Sequence, residues 1–402
     1  MKKTNVFILI AGIMVLLFTA ACSKDDTIET KQTIVDPLAD AKEHFARLGY
    51  DGVEDLSIEK ITHPITKKTE EYYLLQGDIL MPKQQLKEMA NKHSNSPNAK
   101  HYSANDIVKN LPRFIRVAGV TGSGTNALDN IAQQALRAAI NQYNALNLSL
   151  KFTIEFSANP PLGTEIIVQR NPTLSSNARA SFPSSTGNPG GLIFIGPNAT
   201  SRGLDMATIT MVHELGHCLG LRHTDFMNAA VSCGVQLPIE NDDTGVGANL
   251  IPGTPAAPSG DPGSIFATCP RRLNTKPNFT NADIIALRQL YGPKMNARCV
   301  NGDPKLLIAS VHGGSTFVNL NSNLRWQATR SGSWIDMGPV TTGAGNHTFL
   351  VKVASFFNQS EECGPKRYGR MVFRAIDFPN MPPEIIRVRQ NERRPPPGHQ
   401  CK

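Results

Sequence analysis

Three histidines and a glutamate fall within eleven residues, from His213 to His223 (HELGHCLGLRH), in a chain that has only ten histidines. On a helix, His213 and His217 lie one turn apart on the same face, so their imidazoles can converge on one ion. Glu214 follows the first of them and, in an H-E-x-x-H helix, reaches a water on that ion rather than the ion itself. Gly220 suits a turn with positive φ, which lets the chain leave the helix and return His223 as a third ligand. Three nitrogens leave a fourth tetrahedral position for water, the arrangement of a catalytic zinc ion. Such an ion brings the water's pKa toward neutrality and polarises a carbonyl. Glu214 would then take the water's proton and pass it to the leaving amine. The pattern predicts one zinc ion and peptide-bond hydrolysis, and it is silent on calcium. By chance it is expected in roughly one chain of this length in 10^5.

A ligand set of this kind needs a scaffold. The helix that carries it is predicted over about Leu204 to Cys218. Arg113 to Val117 alternates as a strand does, as do Lys151 to Phe156, and Thr164 to Arg170 and Gly191 to Ile195 read as two more strands. Between the first two, Leu128, Ile131, Ala135, Leu136, Ala139, Ile140 and Tyr143 recur at helical spacing. A closing helix follows Thr280, with Asp283 as a capping-box partner, Ile284, Ile285, Leu287, Leu290 and Tyr291 as its apolar face, and Gly292-Pro293 as its stop. From Lys305 onward, short apolar runs alternate with Gly/Asn/Ser turns (Leu306 to Val311, Leu324 to Thr329, Thr348 to Val353, Met371 to Ile376), which predicts an all-β, sandwich-like module over residues 300–402. Trp326 and Trp334 read as packing residues of that module rather than a binding face.

The chain has 402 residues, enough for two or three domains. Its net charge is +8, but the excess is not gathered into a stripe, so no nucleic-acid partner is expected. Nothing in it bears on oligomeric state. The N-terminus has a positive start (Lys2, Lys3) and an apolar stretch from Val6 to Phe18, too short for a membrane span. Thr19-Ala20-Ala21-Cys22 then resembles a bacterial lipobox, which implies a signal peptide over residues 1–21 and acylation of Cys22. Ser23-Lys24-Asp25-Asp26 resembles the export signal of surface lipoproteins in Bacteroidetes-type bacteria. Together these imply an exported lipoprotein held by its N-terminal lipid in the outer membrane and exposed at the surface. Residues 22–36 read as a polar tether. Beyond Cys22, six cysteines remain, and an exported chain can pair them in fifteen ways.

The motif resembles that of the metzincin metallopeptidases, and the surrounding residues look closest to the bacterial dual-action HEIGH metallopeptidase family. The similar stretches are His213 to Asp225 (HELGHCLGLRHTD), Ile251 to Pro255, Asp261 to Cys269 (DPGSIFATC) and Phe279 to Gly292 (FTNADIIALRQLYG). The resemblance covers roughly residues 105–293. It implies a zinc endopeptidase of mixed α/β fold, with a twisted sheet, an active-site helix and a C-terminal helix over a smaller lower lobe. It also implies that Gly191 to Ile195 is the edge strand, to which an extended substrate could add. Cys233 and Cys269 both fall in the implied lower lobe and are expected to be bridged. Cys218 is expected in a disulfide or as a buried thiol, not as a ligand, because it points off the ligand face. Phe266 stands where metzincins place a methionine under the metal, and Thr268 where some relatives carry a ligating tyrosine.

Gly77-Asp78, within LLQGDIL, resembles the short F-x-G-D stretch by which astacin-type prosegments keep their enzymes latent. The resemblance implies that Asp78 occupies the open metal position, and that residues 37–100 form a prosegment-like region ending in a polar linker over residues 91–105. Two functions are therefore expected. One is a lipid-anchored zinc endopeptidase acting on protein or peptide substrates. The other is a noncatalytic, zinc-stabilised surface binding or adhesion lipoprotein, which Phe266 favours.

Overall fold

The computed structural model describes residues 38–47, 56–75, 77–90, 101–226, 228–235, 249–254, 261, 263–273, 276–355 and 366–391. Cys22, the tether, most of the expected linker, Cys363 and Cys401 lie outside them.

The N-terminal part supplies α1 (Ala39–Arg47), β1 (Ser57–Thr62), β2 (Thr69–Leu75), β3 (Ile79–Pro82) and α2 (Lys83–Ala90). The central part follows with β4 (Tyr102–Ser103), β5 (Arg113–Val120), α3 (Asn130–Ala145), β6 (Leu150–Ser157), β7 (Ile166–Arg170), β8 (Ala178–Ser181), β9 (Leu192–Ile195), α4 (Pro197–Thr200) and α5 (Leu204–Leu219). Beyond it come α6 (Ala230–Cys233), β10 (Asn249–Leu250), α7 (Pro270–Leu273) and α8 (Asn281–Tyr291).

One eight-stranded sheet runs in the order β1-β2-β3-β8-β9-β7-β5-β6. Strands β6, β5, β7 and β9 are mutually parallel, and β8 is antiparallel to β9. Parallel strands need covering on their faces. Helices α3 and α5 cover one face, where Ile115, Val117, Ile166, Val168, Leu136, Ile140, Val212 and Leu215 share one buried core, while Ile167, Leu192 and Phe194 on the other face pack with Ile61, Tyr72 and Leu80. The apolar spacing read from 128 to 143 matches the buried face of α3 except at Ile131, which is 37% exposed while Ala132 beside it is buried, and Asp129 caps the helix by accepting from the Ala132 amide. Tyr143 of that helix donates its hydroxyl to the Val212 carbonyl at 2.8 Å, which braces α5 one residue before the first histidine.

Two expectations need correction. Gly191 to Ile195 is not an edge strand: β9 is bonded to β7 on one side and β8 on the other, and all four of its residues are buried. The sequence hid the true neighbour, because Ala178-Arg179-Ala180-Ser181 has little strand character of its own. The outer edge of β8 is filled by β3, which pairs with it in parallel through Ile79↔Ala180 and Leu80↔Ser181. In the closing helix α8, Ile285 is 38% exposed rather than core-facing. Ala282, Ala286, Leu287 and Tyr291 make the buried face.

The C-terminal strands are β11 (Met295–Cys299), β12 (Leu306–Ala309), β13 (Gly314–Ser322), β14 (Arg325–Ser331), β15 (Ile335–Asp336), β16 (Thr342–Ala344), β17 (His347–Val353), β18 (Arg367–Ala375) and β19 (Glu384–Gln390). They form two sheets, β11-β13-β17-β15 and β12-β19-β18-β14-β16. Both contribute to a single core that includes Val318, Leu320, Trp326, Phe349, Val351, Phe373 and Ile386. Trp326 is 1% exposed and donates its indole N–H to Gly345, and Trp334 lies under the Arg367 guanidinium. Both tryptophans are thus used in packing.

Candidate metal centre

Helix α5 ends where the chemistry needs it to. Gly220 adopts φ 97°, a left-handed cap that returns its amide to the carbonyls of Gly216 and His217. The chain that leaves the helix is then gripped by residues 101–104. Ala104 donates to the Gly220 carbonyl at 2.7 Å, and Arg222 donates to the Tyr102 carbonyl at 2.9 Å. These residues fall in the stretch read as linker, yet His101, Tyr102, Ser103 and Ala104 are all buried. Their brace sets the position of His223.

His213, His217, His223 and Asp78 bring one ligand atom each to within 4.8 Å of one another. His213 Nδ1 meets the Ile265 carbonyl and His217 Nδ1 the Leu221 carbonyl, each at 2.8 Å. A carbonyl only accepts, so both Nδ1 atoms carry the proton and both Nε2 atoms present lone pairs. Those two Nε2 atoms lie 2.9 Å apart, and His223 Nε2 lies 3.2 Å from that of His213. Lone pairs this close repel unless a cation sits among them. Ligand nitrogens on a tetrahedral zinc ion are about 3.3 Å apart. Asp78 Oδ2 is 3.1 Å from His223 Nε2, and its Oδ1 is buried without a hydrogen-bond partner. Three imidazole acceptors and an orphaned carboxylate oxygen fit a divalent cation.

Asp78 is delivered by its backbone. Its carbonyl accepts from the Ala180 amide at 2.8 Å, and Gly77, at φ 81°, turns the chain into β3 while its carbonyl accepts from Ser176. Glu214 is 3% exposed, stands outside the ligand group, and has Oε2 unpaired. Burial, and then the Asp78 charge, push its carboxyl well above the usual carboxylate range, against the opposing pull of His223 and Arg179.

Phe266 packs under the ligand helix, and the helix makes room for it. A Cβ on Gly216 would stand 2.3 Å from Phe266 Cε1, and the ring is 1% exposed. Gly216→Ala gains about 1 kcal/mol of helix propensity but overpacks the buried ring. We expect a net loss of about 1–2 kcal/mol, read in thermal melts, with recovery in Gly216→Ala/Phe266→Leu. A melt unchanged in the single variant would show that the ring has room to yield.

Asp283 has a second task that its capping role conceals. It completes the capping box with Thr280, and it also accepts from the Ile265 amide, the Ser264 hydroxyl and His101 Nε2. The Ile265 carbonyl then holds His213. Asp225 gathers Thr268 and Ser232 beside the Cys233–Cys269 disulfide, whose sulfurs are 2.07 Å apart. Cys218 is a buried free thiol.

The family model for the dual-action HEIGH metallo-peptidases matches residues 73–291. The chain belongs to the dual-action HEIGH metallo-peptidase family. It is thus a member of a metallopeptidase family, and its helix reads HELGH where the family's name has HEIGH. No curated protein matches the chain. Among solved structures, a Bacteroides ovatus GH5 xyloglucanase, determined with a XXXG heptasaccharide, is 21% identical over 22% of this chain and 17% of its own, with a TM-score of 0.18. Myroilysin is 14% identical over 46% of this chain and 82% of its own, with a TM-score of 0.28. Tripeptidyl peptidase 2 is 10% identical over 69% of this chain and 24% of its own, with a TM-score of 0.20. Likenesses this partial say nothing about the activity of this chain.

For this HEIGH metallopeptidase, burial and then the repulsion of His223 lower the His213 pKa from 6.5 to about 3. Burial, followed by repulsion from His213 and His223, takes His217 to about 3 as well. An unfolded chain takes protons on these imidazoles below pH 6.5, and the folded metal-free chain does not until about pH 3. The stability they permit is therefore present above pH 6.5 and lost as pH falls toward 3, by about 1.4 kcal/mol per pH unit for each imidazole. Urea midpoints of chelator-treated protein should fall across this window, and flat midpoints would contradict it.

Proposed function

We propose that the protein is a metzincin-type zinc endopeptidase, with residues 105–293 as its catalytic domain and residues 37–100 as a latency segment. His213, His217 and His223 hold the ion, and Asp78 holds its fourth position until displaced. When bound, zinc supplies Lewis-acid polarisation of the scissile carbonyl and an acidified water. The Nδ1 bonds to Ile265 and Leu221 fix the tautomer and aim of the first two imidazoles. Glu214 accepts the proton of the attacking water and returns it to the leaving amine, a task suited to a carboxylate whose affinity for protons is raised by burial. An extended substrate pairs with the outer edge of β8 once β3 has left it. We further propose that the chain is a lipoprotein acylated at Cys22, held at the outer membrane and exposed at the surface, with residues 300–402 as an accessory module.

The observation that carries this reading is the convergence of three lone-pair-bearing imidazoles with Glu214 beside them. The experiment pairs zinc analysis with mass-spectrometric cleavage of an unfolded protein. One zinc per chain with chelator-sensitive cleavage is expected. One zinc with no cleavage, even after residues 37–100 are removed, would instead favour the noncatalytic binding lipoprotein.

A further inference from the structure

Beside His213 and Glu214 opens a cleft of about 710 Å³ whose lining residues are mostly of polar type, two arginines among them. Thr210, Thr268, Asn177 and Asn198 line it, together with Arg202 and Arg272 from separate segments. Arg202 sits in the turn between α4 and α5, and Arg272 on α7. Both are exposed, and neither forms an ion pair among the described residues. Arg272 is steadied by one bond, from Nη1 to the Ser232 carbonyl at 3.0 Å.

The nearby acids are engaged elsewhere. Asp205 pairs with Lys276 at 3.2 Å, and Asp225 accepts from Thr268 and Ser232. Among the described residues, the carboxylates that line the cleft are Glu214 and Asp78. Asp78 belongs to the N-terminal segment and would leave with it, so that among the described lining residues two cations would face a single buried acid. Gly77 and Asp78 of the N-terminal segment form part of its wall.

We infer that this cleft selects a carboxylate on the substrate next to the scissile bond, with Arg202 and Arg272 as its specificity-determining residues. The inference rests on the peptidase reading for its site and deepens it to a substrate class. Guanidinium groups bind carboxylates through paired, charge-assisted hydrogen bonds. At an exposed cleft such bonds separate Asp from Asn by roughly tenfold. The carboxylate can belong to an Asp or Glu side chain or to a chain end.

Binding tests this apart from turnover. Zinc-loaded full-length Asp78→Ala/Glu214→Gln is titrated with fluorescent peptides blocked at both ends, in which one Asp is walked along the chain and compared with Asn. A third set carries a free C-terminal carboxylate alone. The expected result is tighter binding of one Asp register by roughly tenfold, falling toward parity in Arg202→Gln and Arg272→Gln and shrinking at high salt. Arg272→Gln keeps a donor for Ser232, so loss of the preference there is not loss of the fold. Preference for the free C-terminus instead would assign the same two arginines to a chain-end carboxylate. No preference in either set overturns the inference, whether or not the protein cleaves peptides. Conversely, an Asp preference in a protein that cleaves nothing with Glu214 intact would leave the inference standing and remove the peptidase reading.

Discussion

Glu214→Gln should reduce peptide-bond cleavage about a hundred- to ten-thousandfold, the range for removal of a general base. The amide has the same shape as the carboxylate and cannot accept a proton at neutral pH. The fold should not notice. Glu214 is 3% exposed with Oε2 unpaired, and burial already disfavours its charged form, so a neutral side chain is at least as comfortable there. Metal content should not change either, because Glu214 is not among the four residues whose ligand atoms converge. Three measurements on one variant therefore separate the possibilities. Lost cleavage with zinc and melting temperature retained supports the base. Lost zinc would make Glu214 a ligand. Undiminished cleavage would require another residue to move the proton, and among the described residues no carboxylate besides Asp78 joins Glu214 in lining the cleft.

Asp78→Ala should act in the opposite direction. A ligand tethered to its site competes at an effective concentration of order millimolar, so its removal should raise the activity of the full-length chain by about tenfold or more. The gain will be incomplete, because β3 still pairs with β8 through Ile79 and Leu80, and Arg179 of β8 still forms an ion pair with Glu59 of β1. Proteolysis within residues 91–100, followed by release of the segment, should give the larger increase. Cobalt substitution provides a second readout. The visible spectrum should change between the parent and Asp78→Ala if the carboxylate is a ligand. Identical spectra and identical rates would leave Asp78 as a Gly-Asp turn and residues 37–100 as an integral part of the sheet. The family model, which begins at residue 73, includes Asp78 in its match.

Much of the site was legible because it is local. His213, Glu214 and His217 share one turn of helix, and Gly220 announces the left-handed cap that ends it. The capping box at Thr280 and Asp283 is equally local. The alternation of the C-terminal strands is a period-two signal that survives without knowledge of partners, which is why the all-β module was readable. Other features were invisible because their meaning lies in residues far apart in the chain. His101 lies 182 residues from the Asp283 it bonds. Gly216 looks like a helix weakness until Phe266, fifty residues on, is found in the space its missing side chain leaves. The edge of the sheet was misassigned because strand order is a property of pairing, and β8 has too little intrinsic strand character to be counted.

By itself the sequence determined the chemistry available: three imidazoles at helical and return spacing, a carboxylate beside them, and a second carboxylate after a glycine in a distant stretch. Side-chain type and spacing along one helix fix which atoms can meet, because the helix repeat is the same in every protein. Only the tertiary structure decided that the distant carboxylate reaches His223, that β3 rather than solvent borders β8, and that two arginines from separate segments line one cleft. Those outcomes depend on which strand finds which edge, and that is set by the burial of whole faces rather than by any short run of residues.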